Sequence, residues 1–259
     1  MLCKYGRPPF KVAVVHGGPG APGEMAAMAR ELSKTRGVLE PLQIARTIEG
    51  EVEELRETLI KSSALPATLI GYSWGAWLSF ILTARYPSLV SKLVLVSSAP
   101  FTQEYALEVE RTRFSRLSAR QKEETRALLA DLDNPDFTGN KDRLMSSLGK
   151  LFGKADSFDA LPHRDEAECR WDIFAVIWPQ ALALRRSGEL LSLGKQIKCP
   201  VVAIHGDFDP HPAEGVRVPL SAVVRDFRFI LLERCGHTPW NERQARGRFY
   251  QVLQSELDS

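Results

Sequence analysis

Cysteine, net charge and long apolar runs are all scarce in this chain of 259 residues. The four cysteines are scattered without C-x-x-C spacing or a disulfide framework, so we expect free thiols. A net charge of +2 spread along the chain offers no basic stripe for nucleic acid. The apolar run at 12–15 is too short for a signal-peptide core or a membrane span. These features predict a cytoplasmic protein without a membrane span or a nucleic-acid partner.

Low-complexity tracts and internal repeats are also missing, and the composition is that of a globular protein. Apolar residues make up 44% of the chain and charged residues 25%, and a chain of this length can bury a large core. Single domains of mixed structure often reach roughly 200 to 250 residues. One domain that carries an insertion is therefore the expected organisation.

Short runs of Val, Ile and Leu alternate with longer amphipathic stretches, which is typical of a parallel sheet with crossover helices. The runs are almost continuously apolar, as expected for strands that helices cover on both faces. The predicted strands are 11–15, 38–44, 67–72, 92–97, 199–204 and 227–232. The predicted fold class is α/β, with a mostly parallel sheet and helices on both faces.

The alternation stops between residues 101 and 195, where helical patterns continue without a convincing strand. This interval is predicted to be a helical cap inserted into a core domain formed by residues 1–100 and 196–259. Within it, Trp171, Phe174 and Trp178 fall on one helical face. Such a stripe usually packs against the main domain; the alternative is that part of it lines a substrate pocket.

The pentapeptide GYSWG at residues 71–75 joins a predicted strand to the most apolar predicted helix. A nucleophile on a sharp strand-to-helix turn needs small neighbours, because a Cβ on either side would collide with nearby backbone. Gly71 and Gly75 meet that need. The pattern predicts that Ser73 is a catalytic nucleophile; the alternative is that the pentapeptide is only a turn.

The glycine-rich segment HGGPG at residues 16–20 directly follows the first predicted strand. Acyl transfer needs two backbone N–H groups aimed at the developing oxyanion, and glycines leave such groups exposed. A phosphate cradle or a plain turn is the alternative, but the segment lacks the P-loop lysine and the G-x-G-x-x-G spacing. We expect the N–H groups of Gly18 and Trp74 to form an oxyanion hole, and His16 to brace the loop by hydrogen bonding.

A serine hydroxyl is a poor nucleophile at neutral pH and needs a general base. Of the five histidines, His237 lies between the last predicted strand and the last predicted helix, at the same sheet edge as Ser73. It is therefore predicted to be the base. His205 precedes a turn glycine and is interpreted as structural, whereas His163 and His211 are interpreted as exposed loop residues.

The carboxylate that orients the base should lie between nucleophile and base in the chain, beyond another strand. The segment HGDFDP at residues 205–210 follows an apolar strand and offers two carboxylates. Asp209 has the reach to meet an imidazole beside it and is predicted to be the acid. Asp207 is interpreted as a turn residue whose side chain bonds to backbone.

Together, GYSWG, HGGPG, the late aspartate and the late histidine make the chain resemble the α/β-hydrolase superfamily, and most closely its proline iminopeptidase branch. Members of that branch remove N-terminal proline and hold the free amine with glutamates of the cap. Acidic residues of the predicted cap are Asp165, Glu166, Glu168 and Asp172. The haloalkane dehalogenase branch has a similar architecture but uses aspartate where this chain has Ser73.

The sequence thus predicts a serine hydrolase that cleaves a small-molecule ester or amide through an acyl-enzyme, either as a carboxylesterase or as an aminopeptidase. The competing hypothesis is a catalytically silent scaffold that binds a ligand or partner through its cap. Silent scaffolds usually lack a triad member or an elbow glycine, and this chain has all of them. No cofactor is implied, and no cluster of His, Asp or Cys has metal-ligand spacing along the chain.

Overall fold

The computed structural model describes residues 1–162 and 168–258. Strands in these residues form a single sheet of seven: β1 (Leu2–Tyr5), β2 (Phe10–Val15), β3 (Gly37–Pro41), β4 (Ala67–Tyr72), β5 (Val90–Val96), β6 (Val201–Gly206) and β7 (Phe227–Leu232). Their order across the sheet is β1-β3-β2-β4-β5-β6-β7. Neighbouring strands are parallel except β1 and β3, which are antiparallel. The carboxyl ends of six strands therefore meet at one edge.

Helices cover both faces of this sheet. In the described residues they are α1 (Ala26–Leu32), α2 (Ile48–Ser62), α3 (Trp74–Arg85), α4 (Gln103–Arg116), α5 (Ala119–Asp133), α6 (Lys141–Asp156), α7 (Trp171–Ser187), α8 (Glu189–Ser192), α9 (Glu214–Val223) and α10 (Arg246–Asp258). Helices α1 and α10 pack on one face, and α2, α3 and α9 pack on the other. None of the helices described is long and apolar enough to cross a bilayer.

The central strands are apolar at nearly every position because their side chains alternate between two separate cores. In β4, Leu69 joins the core under α3, whereas Ile70 joins the core under α1 and α10. In β5, Leu95 and Val96 divide in the same way. This double burial explains the continuous apolar runs and confirms the predicted α/β fold class.

Strand β1 was not predicted. Its four residues are too few to show a period, and pairing with β3 supplies the order that the local sequence does not. The hydroxyl of Tyr5 adds a hydrogen bond to the buried carboxylate of Glu40 at 2.7 Å. Several strand boundaries also differ from the prediction by one to three residues. The end of β3 at Pro41 and the start of β6 after Pro200 have a physical reason, because proline lacks the N–H that a ladder needs.

The described residues between β5 and β6 contain helices α4 to α8 and add no strand to the sheet. We call this segment, residues 101–195, the insertion. Helix α7 packs three buried residues, Ile173, Ile177 and Ala181, against the core under α3. Helices α5 and α6 pack against each other. Helix α7 is thus one of the elements through which the insertion packs against the core of the main domain.

Candidate active site

Ser73 lies at the sharp turn between β4 and α3. Its φ of 51° and ψ of −113° are costly for a residue with a Cβ. The turn is held by backbone contacts: the N–H of Ser73 donates to the carbonyl of Val96 at 3.0 Å, and a Cβ on Gly71 would collide with the carbonyl of Gly75. Ser73 itself is only partly buried. The fold therefore presents its hydroxyl at the carboxyl edge of the sheet.

His237 lies in the loop after β7 and faces this hydroxyl. Its Nε2 is 3.2 Å from the Oγ of Ser73. Its backbone N–H donates to the carbonyl of Asp156 at 2.8 Å, and its ring lies 5.0 Å from the ring of Tyr72, measured between centroids. These contacts on both sides orient the imidazole toward the serine.

Asp209 lies in the loop after β6, and its carboxylate is buried. Its Oδ2 accepts a hydrogen bond from the Nδ1–H of His237 at 2.8 Å. Asp207 is exposed and accepts from the backbone N–H of Cys235 at 3.1 Å. The structure thus brings Asp209 to the imidazole, and it confirms that Asp207 bonds to backbone.

Burial and charge act in opposite directions on this pair. Burial alone would raise the pKa of Asp209, but the adjacent imidazoles of His237 and His211 hold that pKa well below its ordinary value. Burial alone would lower the pKa of His237, but the carboxylate of Asp209 raises it above its ordinary value. The arrangement keeps the carboxylate ionised and makes His237 a stronger base than a free histidine.

The HGGPG loop touches the serine turn, because a Cβ on Gly75 would collide with the carbonyl of His16. The buried ring of His16 donates from Nδ1–H to the carbonyl of Gly17 at 2.8 Å, and burial lowers its pKa to about 4. This neutral histidine braces the loop, as predicted. Gly18 has a φ of 28°, and the N–H of Trp74, at the start of α3, has no acceptor within its helix. Both predicted oxyanion donors therefore belong to turns that are in contact.

The interpretation of His211 as an exposed loop residue is wrong. Its side chain is buried, its Nδ1–H donates to the Oδ1 of Asp209 at 2.8 Å, and its ring stacks on that of His237 with centroids 4.4 Å apart. The signal was an Asx turn, in which an aspartate accepts the N–H two residues later; that bond is present at 2.9 Å. His205 donates from Nε2–H to the carbonyl of His211 at 2.8 Å, which fits its structural interpretation. His163 lies outside the described residues.

Asp209, His211 and His237 also form a group that could hold a metal ion, because their ligand atoms lie within 4.8 Å of one another. Spacing along the chain did not reveal this group, since the fold joins two separate loops. The carboxylate lies between the two imidazoles and accepts from each Nδ1 at 2.8 Å. Hydrogen bonds thus account for the positions of all three side chains.

The insertion contacts both loops that surround Ser73. The N–H of Arg170, at the start of α7, donates to the carbonyl of Gly20 in the HGGPG loop at 2.8 Å. The carbonyl that accepts from His237 belongs to Asp156, the last residue of α6. Arg113 of α4 holds the carboxylate of Asp156 from two nitrogens, at 2.8 and 2.6 Å. Helices of the insertion thereby fix the backbone of the predicted base.

A buried carboxylate that the sequence analysis did not single out links the insertion to the His237 loop. Glu242 accepts the backbone N–H groups of Gly236, Phe158 and Asp159 at 3.0, 2.8 and 2.7 Å. Gly236 also packs so closely against Asp156 that a Cβ there would collide with its carbonyl. The segment after α6 is therefore tied to the histidine loop at several points.

The predicted pocket residues form a row of rings along α7. The centroids of Trp171 and Phe174 are 5.7 Å apart, and those of Phe174 and Trp178 are 5.9 Å apart. Trp178 then stacks on Trp77 of α3, at 6.0 Å and an interplanar angle of 13°. Trp171, at the other end, lies under the Nζ of Lys141 at 5.6 Å. Trp178 is thus the member of the row that contacts the helix following Ser73.

Of the acidic residues in the insertion, Asp172 is already paired. Its carboxylate accepts hydrogen bonds from Arg46 at 2.5 Å and from Arg170 at 3.1 Å. Both bonds lower the pKa of Asp172, and the bond from Arg170 has the larger effect. Glu168 is exposed. Asp165 and Glu166 lie outside the described residues.

Comparison with known proteins agrees with this architecture. Residues 14–251 match the model of the alpha/beta hydrolase family. No curated protein sequence matches the chain.

Similar solved structures include VinJ, with a TM-score of 0.67 and 18% identity, covering 99% of this chain and 94% of that one. A bromoperoxidase from Bacillus anthracis has a TM-score of 0.66 and 13% identity, covering 100% and 95%. A monoacylglycerol lipase from Paleococcus ferrophilus has a TM-score of 0.61 and 15% identity, covering 99% and 97%. At these identities the structures show the fold, and the proline iminopeptidase branch stays a prediction. The family match covers most of the chain, which therefore belongs to the alpha/beta hydrolase family.

Proposed function

We propose that this protein is a serine hydrolase that cleaves a small-molecule ester or amide through an acyl-enzyme. Ser73 is the nucleophile, His237 the general base, and Asp209 the carboxylate that orients the base. One observation carries the proposal: contacts of 2.8 and 3.2 Å join Asp209 to His237 and His237 to the hydroxyl on the strained turn. Such a constellation is recognised by its geometry and roles.

The first half-reaction follows from this arrangement. Oγ of Ser73 attacks the substrate carbonyl carbon while its proton moves to Nε2 of His237, and the N–H groups of Gly18 and Trp74 stabilise the resulting oxyanion. Asp209 stabilises the imidazolium. His237 then donates that proton to the leaving alcohol or amine as the tetrahedral intermediate collapses to an acyl-enzyme.

Water completes the cycle with the same residues. His237 takes a proton from water, the hydroxide attacks the acyl ester on Ser73, and the acid product leaves as the proton returns to Oγ. Side chains, backbone and the attacking water supply every proton and every charge contact in these steps. The proposal therefore requires no cofactor.

We further propose that the insertion, residues 101–195, is a cap over a core domain formed by residues 1–100 and 196–259. Two hydrogen bonds support this proposal, because the insertion contacts Gly20 and the backbone of His237, which lie in the two loops beside Ser73. In this proposal Trp178, with Phe174 and Trp171 behind it, forms an apolar wall for the acyl group. The cap would choose the substrate and contribute no residue of the triad.

Ester cleavage has more support than removal of an N-terminal residue. An aminopeptidase needs a free carboxylate for the substrate amine. Of the two acidic residues at positions 165–172 that the structure describes, Asp172 is occupied by Arg46 and Arg170, whereas Glu168 is exposed. A structural relative is described as a monoacylglycerol lipase, which fits an ester substrate. Carboxylesterase is therefore the proposed form of the activity.

A hydrolysis screen tests this proposal. Wild type and Ser73→Ala are assayed with p-nitrophenyl esters of rising chain length and with aminoacyl-naphthylamides, proline included. We expect wild type to cleave esters with a chain-length preference and Ser73→Ala to cleave none. Preferred cleavage of the naphthylamides would replace esterase by aminopeptidase. Equal ester cleavage by both proteins would contradict the role of Ser73.

A further inference from the structure

We propose that His211 is a positioning residue of the site, which holds Asp209 in the orientation that meets His237. This inference rests on the proposed function, because it assigns His211 a task in that catalytic apparatus. It concerns a residue that touches neither the nucleophile nor the general base by a hydrogen bond.

The two oxygens of Asp209 are divided between two imidazoles. Oδ2 accepts from the Nδ1–H of His237 at 2.8 Å. Oδ1 accepts from the Nδ1–H of His211 at 2.8 Å and from its backbone N–H at 2.9 Å. The carboxylate cannot rotate away from His237 without breaking the bonds on its other side, and those bonds are lost only at the cost of a buried, unpaired charge.

His211 is itself held in place. Its carbonyl accepts from the Nε2–H of His205 at 2.8 Å, and the prolines at 210 and 212 restrict the backbone on both sides. Its ring also stacks on that of His237, with centroids 4.4 Å apart and an angle of 30° between planes. A connected series of contacts thus runs from His205 through His211 and Asp209 to His237.

Only one of the two stacked imidazoles is suited to carry a proton during the reaction. Burial lowers the pKa of His211 to about 4, against the opposing effect of Asp209. The pKa of His237 is raised, because Asp209 and then Asp156 outweigh its burial and the charge of Arg113. His211 is therefore a neutral donor near pH 7, and its Nδ1–H is fixed by the carboxylate that accepts it.

Other charged groups that face this cluster are Arg113, which lowers the pKa of His211, and Glu24, whose carboxylate is close enough to interact with His237. Neither is altered by a substitution at His211. A change in the behaviour of His237 in such a variant is therefore attributable to the loss of contacts with the imidazole at position 211.

Removing the Nδ1–H of His211 should have two consequences. Asp209 loses a restraint on its rotation, which slows the steps in which His237 moves a proton. The negative charge that His211 shared is left to His237 alone, so the pKa of His237 rises. A residue that only filled space would produce neither effect on its own.

Two variants separate hydrogen bonding from stacking. His211→Phe retains a ring for stacking but has no donor, whereas the side-chain amide of His211→Asn can donate to Oδ1 in place of Nδ1–H. We expect His211→Phe to lower kcat about tenfold and to move the acid limb of kcat/KM upward by about 0.5 to 1 pH unit, which is part of the free energy of one hydrogen bond to a charged group. His211→Asn should leave the acid limb of the kcat/KM pH profile at its wild-type position and change kcat by no more than about threefold.

An NMR titration of the imidazole Hε1 of His237 in wild type and both variants provides a readout that does not depend on turnover. A higher pKa in His211→Phe and a wild-type pKa in His211→Asn support the proposal, even if no substrate is cleaved and the proposed function fails. The same pKa and the same kcat in all three proteins would overturn it. Equal losses of kcat and of melting temperature in both variants, with an unmoved pKa, would likewise show that His211 only packs.

Discussion

Helices α3 and α4 have similar lengths but differ in burial: α3 lies in the core and α4 lies at the surface. All residues of α3 from Trp74 to Ala84 are buried, and the helix begins directly after Ser73. Helix α4 has fourteen residues, none of which is buried. Protein interiors are close-packed, so a change of volume in α3 moves neighbouring groups, whereas a change on the surface of α4 does not. The comparison separates a fully packed helix beside Ser73 from a helix whose surface can vary, apart from the contact of Arg113 with Asp156.

Under the proposed function, this difference separates the residues that carry out the reaction from the residues that would select the substrate. The proposed nucleophile Ser73 and the proposed oxyanion donor Trp74 lie where α3 follows β4, and their positions depend on a fully packed helix. The insertion is connected to the site through a few polar contacts, such as that of Arg113 with Asp156. We therefore expect substitutions near the strand ends to change rates by orders of magnitude, and substitutions in the insertion to change preferences.

The largest expected effect is that of removing the base. His237→Ala should lower kcat by a factor on the order of 10⁴ or more, because only binding and the oxyanion hole remain. The measurement is kcat on the best ester, with melting temperature as the control for folding. His205→Ala should lose far less activity. A near-active His237→Ala together with an inactive His205→Ala would contradict the assignment.

The next effect distinguishes the two carboxylates of one loop. Asp209→Asn should lower kcat by about 10⁴-fold without unfolding the protein, because the imidazole loses the group that fixes its tautomer. Asp207→Asn is the matched control. It should leave kcat within a few-fold and lower the free energy of unfolding by about 1 kcal/mol, since its carboxylate only accepts from Cys235. The reverse pattern would show that the roles are exchanged.

A pair of truncations tests the comparison of α3 and α4 itself. Trp77→Ala removes a fully buried ring and should lower the free energy of unfolding by about 3–5 kcal/mol. Leu107→Ala in α4 alters a residue that is 65% exposed. It should change the free energy of unfolding by no more than about 0.5 kcal/mol. Chemical denaturation of both variants measures these values. Similar losses would refute the claim that the two helices differ in packing constraint.

A smaller effect is expected at the wall proposed for the acyl group. Trp178→Ala should change the ratio of kcat/KM for long and short esters by about tenfold, as expected for a contact worth one or two methylene groups. Val176→Ala, an exposed position on the same helix, is the matched control. Unchanged ratios in Trp178→Ala and in Phe174→Ala would remove the insertion from substrate choice, and a large loss of stability alone would assign these rings to packing.

The smallest effect concerns pH. His237 must be neutral to accept the proton of Ser73, and its pKa is raised by Asp209. Activity is therefore present at high pH and lost as the pH falls through a value above about 6.5, the ordinary pKa of histidine. Asp209→Asn should move this limb of kcat/KM to lower pH. A wild-type limb below the ordinary value would contradict the proposed charge balance.

The sequence alone predicts the structure where a local pattern determines it. It does not predict contacts between loops that are distant in the chain. Continuous apolar runs predicted six strands, and the glycines at 71 and 75 predicted a strand-to-helix turn that the structure shows at Ser73. Strand β1 was missed because its order comes from pairing with β3. His211 was misassigned because its burial depends on the approach of the loop after β7 to the loop after β6. Glu242 likewise acquires its partners only through tertiary contacts.

The central claim, that Ser73 is an activated nucleophile, is tested most directly by covalent labelling. Wild type, Ser73→Ala and His237→Ala are treated with a fluorophosphonate, and intact mass followed by peptide mapping locates the adduct. The account predicts one adduct in wild type, on the peptide that contains Ser73, none in Ser73→Ala, and strongly slowed labelling in His237→Ala. An adduct on another residue, equal labelling of Ser73→Ala, or no adduct in folded wild type would contradict it.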